Sequence, residues 1–122
     1  MNETEFNEYQ RGFGELVMFN LETMASASDF PNTTVGLRRD DYGDWHKPYA
    51  TLIHPAKRDE QIEVTVTHNG DWTPIIHVHC GAHLPFLIMG QGNIDADLNA
   101  VKERLERFFA EIQQKIQIHS AL

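Results

Sequence analysis

One cysteine, Cys80, in 122 residues excludes an internal disulfide framework. No apolar run approaches the roughly 20 residues that a bilayer span needs, so no membrane association is expected. Positive charge is also scarce. Ten lysines and arginines stand against eighteen aspartates and glutamates, a formal charge of −8, and the basic residues cluster no further than the pairs Arg38/Arg39 and Lys57/Arg58. Phosphate binding needs a basic patch to displace counterions, so direct nucleic-acid binding is not expected either. The first residues, "MNETEFNEYQ", are acidic and polar where an export signal would be basic and then apolar; with the lone cysteine, this predicts a cytoplasmic protein.

What is present fits a single folded domain over residues 1–122. Hydrophobic residues make up 41% and charged residues 23%, close to the globular average, which argues against disorder and fibrous repeats. The negative charge is concentrated at the start. Residues 1–34 hold Glu3, Glu5, Glu8, Glu15, Glu22 and Asp29 against Arg11 alone. A basic partner suits that distribution better than an acidic one.

From Thr4 to about Met24, the residues Phe6, Tyr9, Phe13, Leu16, Val17, Leu21 and Met24 recur at three- and four-residue intervals, which predicts a helix with one apolar arc. Glu8, Glu15 and Glu22 fall opposite it, and Met18 and Phe19 project beside them. That face reads either as ordinary solvated surface or as a docking face. Gly12 and Gly14 each cost the helix about 1 kcal/mol relative to alanine and mark a kink or a close backbone approach.

After the loop "ASASDFPNTT" the period changes. Five short segments rich in β-branched or aromatic residues follow: Val35 to Arg39, Tyr49 to His54, Gln61 to His68, Pro74 to Cys80 and Leu84 to Gly90. In the third, Ile62, Val64 and Val66 alternate with Glu63, Thr65 and Thr67, as in a sheet with one buried face. Asn69-Gly70 between the third and fourth predicts a hairpin with a type I′ turn. Beyond Asn93, an expected N-cap, Leu98, Val101, Leu105, Phe108, Phe109, Ile112 and Ile116 return to helical spacing. The expected fold is α+β: a two-layer sandwich with a five-stranded antiparallel meander, and the N-terminal and C-terminal helices packed on one face.

Three places carry candidate chemistry. In "IIHVHCGAH" alternation turns His77 and His79 to the face opposite Ile76, Val78 and Cys80, and His83 follows. His-x-His with a third histidine near by is a spacing that a zinc or iron site uses, so one such ion is the alternative to no cofactor. The run Gly70, His77-x-His79, His83, Gly90 is similar to the first cupin motif, with His83 in the place of its glutamate. The second cupin motif is absent and a helix stands where its strands belong, so the chain is not assigned to that family. Cys80 on the inward face reads as an inert thiol rather than a nucleophile.

The second place is an internal echo, "GDWHKPY" and "GDWTPII". An up-and-down meander brings Asp44-Trp45 and Asp71-Trp72 to the same end of the sheet, where tryptophan beside carboxylate makes either an interface anchor or a cap on the core. The third is the face of Glu8, Glu15, Met18, Phe19 and Glu22.

No spacing fixes a reaction, and a non-enzyme is expected. The leading expectation is a small acidic inhibitor that occludes a basic protein, of toxin-immunity (antitoxin), nuclease-inhibitor or phage anti-defence type. The alternatives are an acidic homodimeric secretion chaperone or adaptor, paired through an open sheet face bearing Leu87 or Met89, and a metal-dependent protein using His77, His79 and His83.

Overall fold

A computed structural model describes residues 1–28, 30, 33–39, 46–54 and 57–120, with the backbone alone at 54, 57 and 118–120. Helix α1 (Glu3–Ala27) is followed by β1 (Thr34–Arg39), β2 (His46–His54), β3 (Lys57–His68), β4 (Pro74–Cys80), β5 (Phe86–Met89) and helix α2 (Ile94–Ser120). The strands form one sheet in the order β1-β2-β3-β4-β5, every neighbour antiparallel. This is the expected α-β5-α meander.

Local chemistry explains where α1 starts. The Asn2 side chain accepts the Glu5 backbone N–H at 2.8 Å, and the Glu5 carboxylate accepts the Asn2 N–H at 3.2 Å, a reciprocal cap that satisfies two end donors. Phe6, Tyr9, Phe13, Val17 and Leu21 face the sheet. Burying each such side chain is worth roughly 1.5–3 kcal/mol, which is what holds the helix down. Leu16 departs from the expected arc: it is 40% exposed. It lies about 60° around the helix from Phe13 and about 100° from Val17, at the margin of the buried stripe.

Gly14 is the close approach. A Cβ there would stand 3.2 Å from the His46 Cβ and 3.4 Å from its carbonyl oxygen, so a side chain would force α1 and β2 apart by a few tenths of an ångström. Gly12 is not constrained in that way, since its nearest neighbour would be Ile94 Cδ1 at 3.6 Å.

Strand alternation sends Ala50, Leu52, Ile62, Val64, Val66, Ile76, Val78 and Cys80 into the core with Val101, Leu105, Phe108, Phe109 and Ile112 of α2. The register pairs Val64 with Val78 and Ile76 with Ile88 on that face. It pairs Glu63 with His79, Thr65 with His77 and Ile75 with Met89 on the other, which no helix covers.

The β3–β4 hairpin forms, but its turn is not type I′. Gly70 has a φ of +102°, whereas Asn69 is not in the left-handed region, and Trp72 is, at +64°. The His68 to Pro74 pairing leaves a five-residue loop between the strands. Trp72 turns back onto His68 and Phe6, and that packing fixes a longer loop than two residues would make.

Where the helices meet, the Tyr9 hydroxyl donates to Asp97 Oδ2 at 2.6 Å. The same buried carboxylate accepts the N–H groups of Gln91 and Gly92. Gln10 donates to the Val66 carbonyl at 3.0 Å. Among the described residues no buried side-chain polar atom lacks a partner, as a stable interior requires. Burial, then the bond to Asp97, pushes the Tyr9 hydroxyl well above its ordinary pKa.

Candidate functional site

The outward face of α1 is built by helical geometry. Glu8, Glu15 and Glu22, seven residues apart, drift by only about 20° per step and so form one row. Phe19 lies four residues after Glu15 and three before Glu22, and therefore neighbours both. All three glutamates are exposed. Phe19 is exposed at 63%, with Leu16 three residues before it. Met18, half-buried, stands at the margin of this face. Leu16, expected on the apolar arc, joins this patch instead, and its three-residue interval from Phe19 is the signal that places it there.

None of Glu8, Glu15 and Glu22 has a salt-bridge partner among the described residues. Arg11 is the sole cation on α1, which carries five acidic residues. Arg11 stands one turn from Glu8 and Glu15 without forming an ion pair to either, so the patch is two apolar side chains set in an excess of negative charge. Chemically it can attract cations and then bury an aromatic ring.

At the sheet end, Asp71 is exposed and its carboxylate accepts the Thr73 N–H at 2.9 Å. That bond holds its pKa below the usual carboxylate value. Trp72 is half-buried, with its ring 4.1 Å from His68 and 5.8 Å from Phe6, and it packs against the core. Asp44 and Trp45 lie outside the described residues, so the proposed pairing of the two Asp-Trp motifs lies outside them too.

The three histidines do not converge. His77 and His79 stand side by side on the uncovered sheet face, rings 6.4 Å apart and 11° from parallel. The His77 ring is 2.9 Å from the Thr67 hydroxyl. His83 is 3.6 Å from Glu111 and edge-on to Phe108, both on α2, and α2 covers the opposite face. Gly81, at a φ of +59°, reverses the chain and sends His83 there. Among the described residues no group of three His, Cys, Asp or Glu side chains could hold a metal ion.

Cys80 is buried, and that burial pushes its thiol up to about 11. A thiol so protonated is a poor nucleophile at neutral pH.

The uncovered face also holds a cluster with no sequence signal. Arg38 donates to Glu63 at 3.2 Å and lies 4.6 Å over the Tyr49 ring, three strands brought together by register alone. The Arg38 side chain is 59% exposed, so the ion pair contributes at most about 1 kcal/mol.

No family model matches the chain, and neither a curated protein nor a solved structure matches it.

Proposed function

We propose that the protein is a small acidic binding protein that uses the outward face of α1 to dock on and occlude a basic surface of a partner protein, in the manner of a toxin-immunity, nuclease-inhibitor or anti-defence protein. One observation carries this reading: Phe19, 63% exposed, sits between Glu15 and Glu22 on a face with an excess of carboxylates, and among the described residues neither glutamate is held in an ion pair. An excess of carboxylates raises the encounter rate with a basic surface. The exposed ring then supplies apolar area that leaves water only in the complex.

The test is affinity capture with the immobilised protein, run beside a Phe19→Ala variant and a Glu15→Lys/Glu22→Lys variant. The expected partner is basic, elutes with salt, and is lost on both variants. A captured protein that ignores both substitutions and resists salt would place binding elsewhere and defeat the reading.

A further inference from the structure

The two edges of the sheet are guarded differently. β1 carries Arg38 and Arg39, charges that keep a second sheet from pairing there. β5 carries none: it reads Phe86, Leu87, Ile88, Met89, with Leu87 55% and Met89 63% exposed, and Leu84 just before it 91% exposed. Monomeric proteins seldom leave an edge both uncharged and apolar.

The hydrogen-bond phase of this edge is fixed. Gly90 donates its N–H to the Pro74 carbonyl at 2.8 Å. Gly90 and Pro74 continue the register in which Ile88 faces Ile76 and Phe86 faces Val78. In an antiparallel ladder, bonded and non-bonded pairs alternate, so Phe86, Ile88 and Gly90 spend their backbone groups on β4. Leu87 and Met89 therefore turn their N–H and C=O groups to the open edge. Pro85, next in that row, has no N–H to offer.

We propose that β5 pairs with β5 of a second copy of this chain, antiparallel about a two-fold axis at Ile88, making a continuous ten-stranded sheet with all four helices on one side. Three registers match the edge-facing rows; with Met89 opposite Met89, Leu87 falls against Gln91, whose N–H is already bonded to Asp97. With Leu87 opposite Leu87, the outer pairs put Met89 against Pro85, which lacks a donor. With Leu87 opposite Met89, each chain gives and receives two bonds, four in all, and Leu87 packs on Met89 across the uncovered face. The register with Leu87 opposite Met89 is preferred because it alone keeps every bonded residue within β5.

Self-complementarity selects a copy as the occupant, since Leu87 and Met89 each offer a donor, an acceptor and an apolar side chain that the same row of an antiparallel copy matches. A chain of net charge −8 repels its own copy wherever acidic residues dominate, and β5 offers an approach with no charge on either strand. A basic partner finds nothing on β5 to attract it. Because the strand is four residues long, the dimer is a weak one, with a dissociation constant on the order of micromolar.

Sedimentation over a concentration series tests this, with two variants. Wild type is expected to shift from 14.0 kDa to twice that mass as concentration rises. Leu87→Pro removes an edge donor that β4 does not use. It should leave the melting curve close to wild type and weaken dimerisation about thirty-fold, two of the four bonds being lost. Ile88→Cys should form an oxidised dimer through residue 88, because Cα atoms of a non-bonded antiparallel pair lie about 4.5 Å apart, within disulfide reach. The parent chain, whose Cys80 is buried, should not. A wild type that stays monomeric at about 100-fold above micromolar concentration, or a dimer that keeps its affinity in Leu87→Pro and gives no Ile88→Cys cross-link, would overturn the proposal. Loss of this dimer would leave the docking role of α1 untouched, since β5 and α1 share no residue.

Discussion

Helices α1 and α2 bury comparable apolar stripes on the same sheet, yet their outward faces are built on different rules. On α2, with Asp97 buried, four outward acidic residues are balanced by four basic ones, and the side chains find partners: Arg107 donates to Glu103 at 3.2 Å, Glu111 lies 3.6 Å from His83, and Arg104 covers the Phe86 ring at 4.1 Å. On α1, five acidic residues face one arginine, and Phe19 stands in water. A helix that only has to pack on a core resembles α2. Among the described residues no ion pair uses the glutamates of α1's outward face, and this is what supports the proposed partner.

The comparison is sharpest within α1 itself, between Phe13, which is completely buried, and Phe19. Phe13→Ala should cost about 3–5 kcal/mol in denaturant unfolding, because it removes packed volume. Phe19→Ala should stay within about 0.5 kcal/mol. A Phe19→Ala loss near that of Phe13→Ala would mean the outward ring supports the fold, and the contrast would collapse.

Next in size is the contact where the two helices meet. Asp97→Ala strands the Tyr9 hydroxyl and the N–H groups of Gln91 and Gly92, and should lower stability by about 3 kcal/mol in chemical denaturation. Tyr9→Phe removes one donor and should cost about 1–2 kcal/mol. If Asp97→Ala melts like wild type, the buried polar junction is not what joins α1 to α2.

Alkaline pH probes the interior again. The Cys80 thiol ionises at about 9.0 when free and at about 11 in the fold. Between those values the unfolded chain gives up its proton first, so stability falls as pH rises, and below pH 9 this group contributes no slope. Cys80→Ala should flatten the decline measured by urea unfolding between pH 9 and 10.5, leaving the part due to Tyr9, which acts in the same direction. An identical slope in the variant would show that the thiol is not shielded by burial.

The smallest effect belongs to the outward face of α2. Arg107→Ala breaks an exposed pair four residues apart and should change stability by about 0.3–0.5 kcal/mol, screened away by salt. A loss above 1 kcal/mol there would make α2's surface more than a solvated face.

Much of this was readable in advance. Spacing of 3.6 gave both inward stripes, alternation gave β3, and Asn93 caps α2 by accepting the Ala96 N–H at 3.1 Å. These are local signals, set by periodicity and one-turn contacts. What stayed hidden depended on a neighbour. Leu16 is exposed because it falls at the margin of the buried arc. The Asn69-Gly70 turn changed type because Trp72 is drawn onto Phe6. The histidine cluster dissolved because a single left-handed residue, Gly81, redirects His83. Tyr9 and Asp97 are 88 residues apart, and no pattern along the chain joins them.

For the candidate site the same rule held. The glutamate row and Phe19 were legible because a helix face repeats every seven residues, whereas the Arg38–Glu63 contact needed the register of three strands.

The most direct measurement is the dissociation constant of the captured partner for wild type and for Glu15→Lys/Glu22→Lys, at low and at physiological salt. The variant is expected to lose about 100-fold in affinity at low salt and less at physiological salt, with folding unchanged by circular dichroism. Equal affinity of the two proteins at both salt concentrations would contradict the docking role of α1.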